Sequence, residues 1–339
     1  MPPLYHGLMA PRYMILPPLL LMALSSGAVE ATPKPSPFPV RMVQLSADLS
    51  DPSVMEHLRF CADAGFNAVW VDSGDTGRRT AEGANHGASL SPAFLDLAAW
   101  CRKRDWRIFV AIHPSGESGS RFVFHEEEGE RRIRKFMRLL RRRAGVRDFV
   151  LSFEDQPADL IEPGDITRYG RSSAPAHLDL TRRIERSVGR RDGLWLCASA
   201  YCGAHLGDGQ GDYSKPFLEG LPSLPARIGI VWTGPSVFSP SITADDLTAA
   251  RARLGGRKLL LRDNYPYNDD GGRGDALALR LGPLRRRDAA LARIVSVYMA
   301  CPMAELGASR LPLLTISDYL SDPEKYDPDL WTDEYAFLN

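Results

Sequence analysis

From residue 40 onward, short apolar runs rich in β-branched and aromatic residues alternate with longer stretches whose apolar positions recur every three or four residues. The short runs have the length and near-continuous hydrophobicity of buried parallel strands, and the longer stretches read as amphipathic helices. Eight runs are expected as strands: 41–46, 68–72, 107–112, 148–153, 194–198, 228–232, 258–261 and 294–299. The helices between them carry their own punctuation. Ser50-Asp51-Pro52 and Ser91-Pro92 each place a capping residue before a first-turn proline, and Gly65 and Gly145 fall where helices should close. The stretch 242–247 opens a later helix with two acids in its first turn, where the helix dipole favours them. Strand–helix alternation repeated eight times predicts a (β/α)₈ TIM barrel, one domain over 40–339. A doubly wound open sheet is the alternative, but no Gly-x-Gly-x-x-Gly follows the first strand.

Ahead of this domain, Arg12 is followed by an apolar run over 15–24 and by small residues to Ala31. That order predicts a signal peptide over 1–31. The run falls short of the roughly 20 residues a membrane helix needs. Thr32-Pro-Lys-Pro-Ser-Pro37 reads as part of a linker over 32–39. The expected product is a secreted or periplasmic protein that does not stay with the membrane after cleavage.

Lys plus Arg equals Asp plus Glu, at 42 each, so no charge excess favours nucleic acid or an acidic membrane as partner. The basic cluster from Arg131 to Arg143 interleaves Ile133, Phe136, Met137 and Leu140 at helical spacing, which predicts the solvated face of a helix. Five cysteines are too few for a disulfide-built scaffold of this size. One bridge is expected, Cys61–Cys101, because both residues fall on the first two barrel helices. Cys197, Cys202 and His205 match no zinc spacing, and neither a metal nor a cofactor is expected.

Barrel enzymes place their chemistry at the C-terminal ends of strands, and those ends are polar here. Asp72 follows the second strand, His113 the third, Glu154 and Asp155 the fourth and Tyr201 the fifth, with Asp263, Asn264, Asn268 and Asp269 after the seventh. The adjacent carboxylates Glu154 and Asp155 have two readings. Paired carboxylates cleave glycosides, one as proton donor and the other stabilising positive charge; equally, they could cap a helix or pair with an arginine. The segment 259–270 is similarly open between a grip on sugar hydroxyls and an Asn/Asp-rich turn. His113 and His177 read as structural residues first, and Cys197 as a small buried residue.

Several segments taken together narrow the choice. Phe149-Val-Leu-Ser-Phe-Glu-Asp155, Ala176-His177, Leu196-Cys-Ala-Ser-Ala-Tyr-Cys-Gly203, Val231-Trp-Thr-Gly-Pro235, Asp263-Asn-Tyr-Pro-Tyr-Asn-Asp269, Leu281-Gly-Pro-Leu284, Pro302-Met303 and Tyr326-Asp-Pro328 occur in this order. From about the third strand to Trp331 the chain resembles glycoside hydrolase family 84, the β-N-acetylglucosaminidases that include enzymes removing O-linked GlcNAc from proteins. The resemblance implies a carbohydrate or glycoconjugate substrate and retaining hydrolysis in which the sugar's acetamido oxygen forms an oxazoline. It further implies Asp155 as general acid/base, Glu154 on the acetamido nitrogen and Tyr201 on the acetamido oxygen. Asn264 and Asp269 would hold sugar hydroxyls and Trp232 would form the wall at strand six; apart from the resemblance, Asp72 and Cys301 are expected at the substrate site from their places at strand ends.

The chain also departs from that pattern. Glu154 stands where the family has the first of two Asp residues, Arg262 where it has Trp, and Cys301 where it has Asn. The family's Gly-Phe-Tyr-Gly after strand one is replaced by Ser46-Ala-Asp48, and its lysine after strand two has no counterpart over 72–78. Two other functions therefore stay in view: a carbohydrate-binding barrel with little or no turnover, and a glycosidase of different sugar specificity that pairs these carboxylates with Asp72 or Asp269.

Overall fold

The computed structural model describes residues 36–45, 47–77, 89–114, 122–207, 212–268 and 279–335. They fall within one compact unit, 34–339. Eight strands, β1 (Arg41–Leu45), β2 (Ala68–Asp72), β3 (Arg107–Ile112), β4 (Asp148–Ser152), β5 (Gly193–Cys197), β6 (Gly229–Trp232), β7 (Leu259–Pro266) and β8 (Val295–Cys301), close into a barrel in sequence order. All neighbouring pairs are parallel, including β1 with β8. This is the (β/α)₈ barrel that the alternation predicts.

Period-two alternation sorts each strand into two faces. Met42, Trp70, Phe109, Val150, Trp195, Val231, Leu260 and Met299 fill the barrel interior. Val43, Val71, Val110, Leu151, Leu196, Ile230 and Leu261 face outward and meet the helices in the larger core cluster. The helices are α1 (Pro52–Asp63), α2 (Pro92–Lys103), α3 (Glu127–Ala144), α4 (Pro163–Tyr169), α5 (Ala174–Glu185), α6 (Gly203–Leu206), α7 (Ser214–Gly220), α8 (Ala244–Arg253), α9 (Leu306–Ser321) and α10 (Pro328–Tyr335). Among the described residues no helix is long and apolar enough to cross a membrane.

The helix ends follow the sequence signals. Asp51 accepts from the Ser53 amide and Ser91 from the Phe94 amide, each supplying an otherwise unpartnered first-turn N–H with an acceptor. Thr243 and Asp246 form a reciprocal capping box on α8. Gly145 ends α3 with φ 73°, a left-handed conformation in which a side chain is strained. On α3 the apolar stripe Ile133, Phe136, Met137 and Leu140 is buried while Arg131, Arg132, Arg138 and Arg142 are exposed. The basic cluster is a solvated helix face.

Three features differ from the sequence reading. The expected Cys61–Cys101 bridge is absent: both thiols are free and buried, on α1 and α2. Cys61 Sγ instead lies 3.5 Å from His57 Nε2, and burial pushes the Cys101 thiol up to about 12. Strand β7 runs on to Pro266, because Arg262 and Asp263 pair with Met299 and Ala300 of β8 before the register shifts. Phe38, within the stretch read as linker, is fully buried against Tyr298 and Tyr319. Residues 1–31, read as a signal peptide, lie outside the described residues.

Candidate active site

The inward-facing alternation, continued to the strand ends, brings Asp72, His113, Glu154, Arg262 and Cys301 to one end of the barrel. These ends are the C-terminal ones, where this fold keeps its chemistry. Asp72 accepts from Trp70 Nε1 at 3.1 Å and is 3.1 Å from His113 Nε2. Burial works against its ionisation, but His113, Arg262 and Trp70 outweigh that and hold the Asp72 carboxyl below its ordinary pKa. Asp72 is therefore an anion at the mouth of the barrel, with His113 as neighbour.

Glu154 and Asp155 follow β4 directly, and the backbone beneath them is fixed from three sides. The Phe153 amide donates to the Cys197 carbonyl at 2.8 Å, Ser199 Oγ donates to the Phe153 carbonyl at 2.8 Å, and the Gln156 amide donates to the same carbonyl at 3.2 Å. Below this, the His177 ring stacks on Phe153 with centroids 3.9 Å apart and is hydrogen-bonded to the Tyr213 hydroxyl. Asp155 has φ 56°, a left-handed conformation that Asp and Asn tolerate better than other side chains. The turn leaves Asp155 exposed and Glu154 half-buried.

His177 thus supports the site from beneath, in line with its structural reading, and its burial has a measurable consequence. Burial lowers its pKa from 6.5 to about 3, so the folded protein keeps it neutral where an unfolded chain would bind a proton. Its contribution to stability is fully present above pH 6.5 and declines as the pH falls from there toward 3. The melting temperature should fall on acidification through this range, and less steeply in His177→Gln. An unchanged slope in that variant would remove His177 as a source of the acid sensitivity.

Tyr201, in the loop after β5, is buried and donates its hydroxyl to Asp155 Oδ1 at 2.9 Å. Its backbone carbonyl accepts from the Thr233 amide at 3.0 Å, and the Gly203 amide donates to Gly234 at 2.9 Å, so the loops after β5 and β6 are locked together. Gly234 has φ 102°, and a Cβ there would meet Ser239 Oγ at 2.7 Å. Burial, then the charges of Asp155 and Glu154, push the Tyr201 hydroxyl above its ordinary pKa. It remains a proton-bearing donor across the working range.

Glu154 Oε2 accepts from Arg262 Nη1 in a part-buried ion pair. The Arg262 guanidinium lies 5.9 Å from the centroid of the Trp70 ring and near the Cys301 thiol. Burial alone would lower its pKa; Glu154 reverses this, with smaller contributions from Cys301 and Cys197, and the net shift is well upward. Asn264 donates its amide to the Val237 carbonyl at 2.8 Å and so ties β7 to the loop after β6. Trp232 is not brought to the mouth: it is fully buried in the layer between strands and helices, and its neighbour Val231 faces the interior. Asp269 lies outside the described residues.

Two partnerships have no signal in the sequence, Arg262 with Glu154 and His113 with Asp72. A third, Asp263 with Arg287 and Tyr298, lies on the outer side of β7. A separate recess between α6, α7 and the end of α8, lined by Leu206, Asp212, Lys215, Leu218 and Arg253, contains none of the strand-end residues. Among the described residues no group of His, Cys, Asp and Glu is placed to hold a metal ion.

Residues 76–337 match the β-N-acetylglucosaminidase family. The chain belongs to that family. Among solved structures it is similar to an O-GlcNAc hydrolase of Thermobaculum terrenum, solved as a mutant, with 27% identity and a TM-score of 0.70 over 89% of this chain and 63% of the other. It is similar in fold to CpGH84B, with 21% identity and a TM-score of 0.63 over 89% of this chain and 52% of the other. The chain thus spans less than two thirds of the length of either. Within this β-N-acetylglucosaminidase family member, Glu154 and Cys301 both lie against the Arg262 guanidinium.

Proposed function

We propose that the chain hydrolyses terminal β-linked N-acetyl-hexosamine, GlcNAc-like, from a carbohydrate or glycoconjugate, with retention and through an oxazoline. The observation that carries this reading is the meeting of Glu154, Asp155 and Tyr201 at the mouth of a barrel of this family. In the first half-reaction the acetamido oxygen bonds to the anomeric carbon, the glycosidic bond breaks, and Asp155 gives its proton to the leaving oxygen. Glu154 accepts a hydrogen bond from the acetamido N–H and balances the positive charge that develops there. Tyr201, a donor 2.9 Å from Asp155, orients the acetamido oxygen. In the second half-reaction Asp155 takes a proton from water as the water oxygen bonds to the anomeric carbon and opens the oxazoline.

Aryl N-acetylglucosaminides, N-acetylgalactosaminides and a matching glycoside without the acetamide test this. Turnover should require the acetamide, and a thiazoline mimic of the oxazoline should bind at least about 10²-fold more tightly than the product sugar. One observation favours a second reading, a binding barrel with little turnover: Glu154 already spends one carboxylate oxygen on Arg262. Sugar affinity without turnover would support it. Turnover of the glycoside lacking an acetamide would instead point to a different glycosidase.

We further propose export, on the basis of the apolar run over 15–24 and the small residues behind it. Sequencing the mature N-terminus should find a start near residue 29 or 32. Cytoplasmic protein that retains Met1 would sink the proposal.

A further inference from the structure

Arg262 is a buried cation at the mouth of the barrel, and the nearby Glu154 and Asp72 carboxylates offset its desolvation. Its side chain is 11% exposed and that of Glu154 is 19% exposed. Arg262 Nε is buried with no hydrogen-bond partner, and besides Glu154 the guanidinium has the Trp70 ring, the Cys301 thiol and the Asp72 carboxylate near it. Desolvating such a pair usually costs as much as the attraction returns, so an apolar residue of similar volume would serve stability as well or better. The ion pair therefore calls for an explanation other than folding.

The partner supplies one. Glu154 has a longer and more flexible side chain than Asp, and fixing such a chain costs rotamer freedom. Arg262 engages Oε2 alone, and no described hydrogen bond reaches Oε1. We propose that Arg262 is a positioning residue: by holding Oε2 it presents Oε1 of Glu154 to the acetamido nitrogen, and the two side chains act as one unit. This rests on the role of Glu154 proposed above. The pair is nearly neutral as a whole, so the effect is one of aim more than of field. A misplacement of about 1 Å at a reacting centre can cost on the order of 10²-fold in rate.

The test is a double-mutant cycle on purified full-length protein, with nitrophenyl and poorly activated aryl N-acetylglucosaminides as substrates. Arg262→Met should lower kcat by about 10²-fold for both leaving groups while KM changes little, since an aiming defect is independent of the aglycone. Thiazoline affinity should fall in step with kcat while affinity for the product sugar holds, a split that a loss of folded protein would not give. Arg262→Lys, which retains a cation, should recover part of the rate and keeps the test open if the methionine variant does not fold. Arg262→Met in a Glu154→Gln background should cost less than about threefold, because the unit is already broken. Full additivity of the two losses, or wild-type kcat in Arg262→Met, overturns the positioning role while leaving the function intact. Wild-type protein that turns over neither glycoside overturns both.

Discussion

Asp155→Asn is expected to lower kcat/KM for glycosides with poor leaving groups by about 10²–10⁴-fold, and to leave kcat/KM for activated nitrophenyl glycosides close to wild type. The contrast follows from where the proton is needed. kcat/KM reports the first half-reaction, and an activated phenolate departs without protonation, whereas an alkoxide does not. With activated substrates kcat should still fall, because opening the oxazoline needs Asp155 as base and that step then limits turnover. Asparagine is the informative substitution. It tolerates the left-handed backbone at this position, φ 56°, and its side-chain oxygen can still accept from the Tyr201 hydroxyl that bonds Asp155 at 2.9 Å. Alanine would relax the turn and move Glu154 with it, confusing a lost proton with a lost geometry. Equal losses for good and poor leaving groups in Asp155→Asn would remove Asp155 from the acid's role.

Much of this architecture is legible in the sequence because a parallel barrel writes its strands as continuous apolar runs. β2 and β3 have the expected bounds, and the other six strands differ at one or both ends. The largest difference, in β7, arises where Arg262 and Asp263 look like the start of a loop and pairing with β8 keeps them in the sheet. Continuous hydrophobicity also hides which face is which. In β6, Ile230, Val231 and Trp232 are equally apolar, so only the closed barrel reveals that Trp232 points to the helices and Val231 to the interior.

Cysteine pairing is hidden in the same way. Adjacent helices can be read from the order of elements, but a disulfide needs a narrow range of Cα separations and Cβ directions, and Cys61 and Cys101 stay free. Motifs locate Glu154, Asp155 and Tyr201 because each follows closely on a recognisable strand. They do not reveal that Arg262, 108 residues beyond Glu154, is its partner. Such a contact is a property of the closed barrel and of nothing local.

Arg287→Met is expected to be the most destabilising single change among the groups described, by about 3–5 kcal/mol. Arg287 makes two hydrogen bonds to Asp263, at 2.8 and 2.7 Å, and Tyr298 donates its hydroxyl to the same carboxylate. The side chains of Asp263 and Arg287 are 2% and 6% exposed. Burial alone would lower the Arg287 pKa, and Asp263 more than reverses it, so the cation persists at any pH at which the protein folds. Removing the guanidinium leaves a carboxylate with no counter-charge in the strand–helix layer. It also releases the carbonyls of Ser239 and Pro240, which Arg287 holds at 3.1 Å each. At about 2–4 °C per kcal/mol for a domain of this size, the melting temperature should fall on the order of 10 °C. The cause can be separated from lost packing by removing the charge as well. Asp263→Asn in the Arg287→Met background should regain a substantial part of the loss, because no unpaired anion then remains buried. A double variant as unstable as the sum of the two single changes would show that the pair does not act as a unit, and that Arg287 stabilises the fold through the loop carbonyls instead.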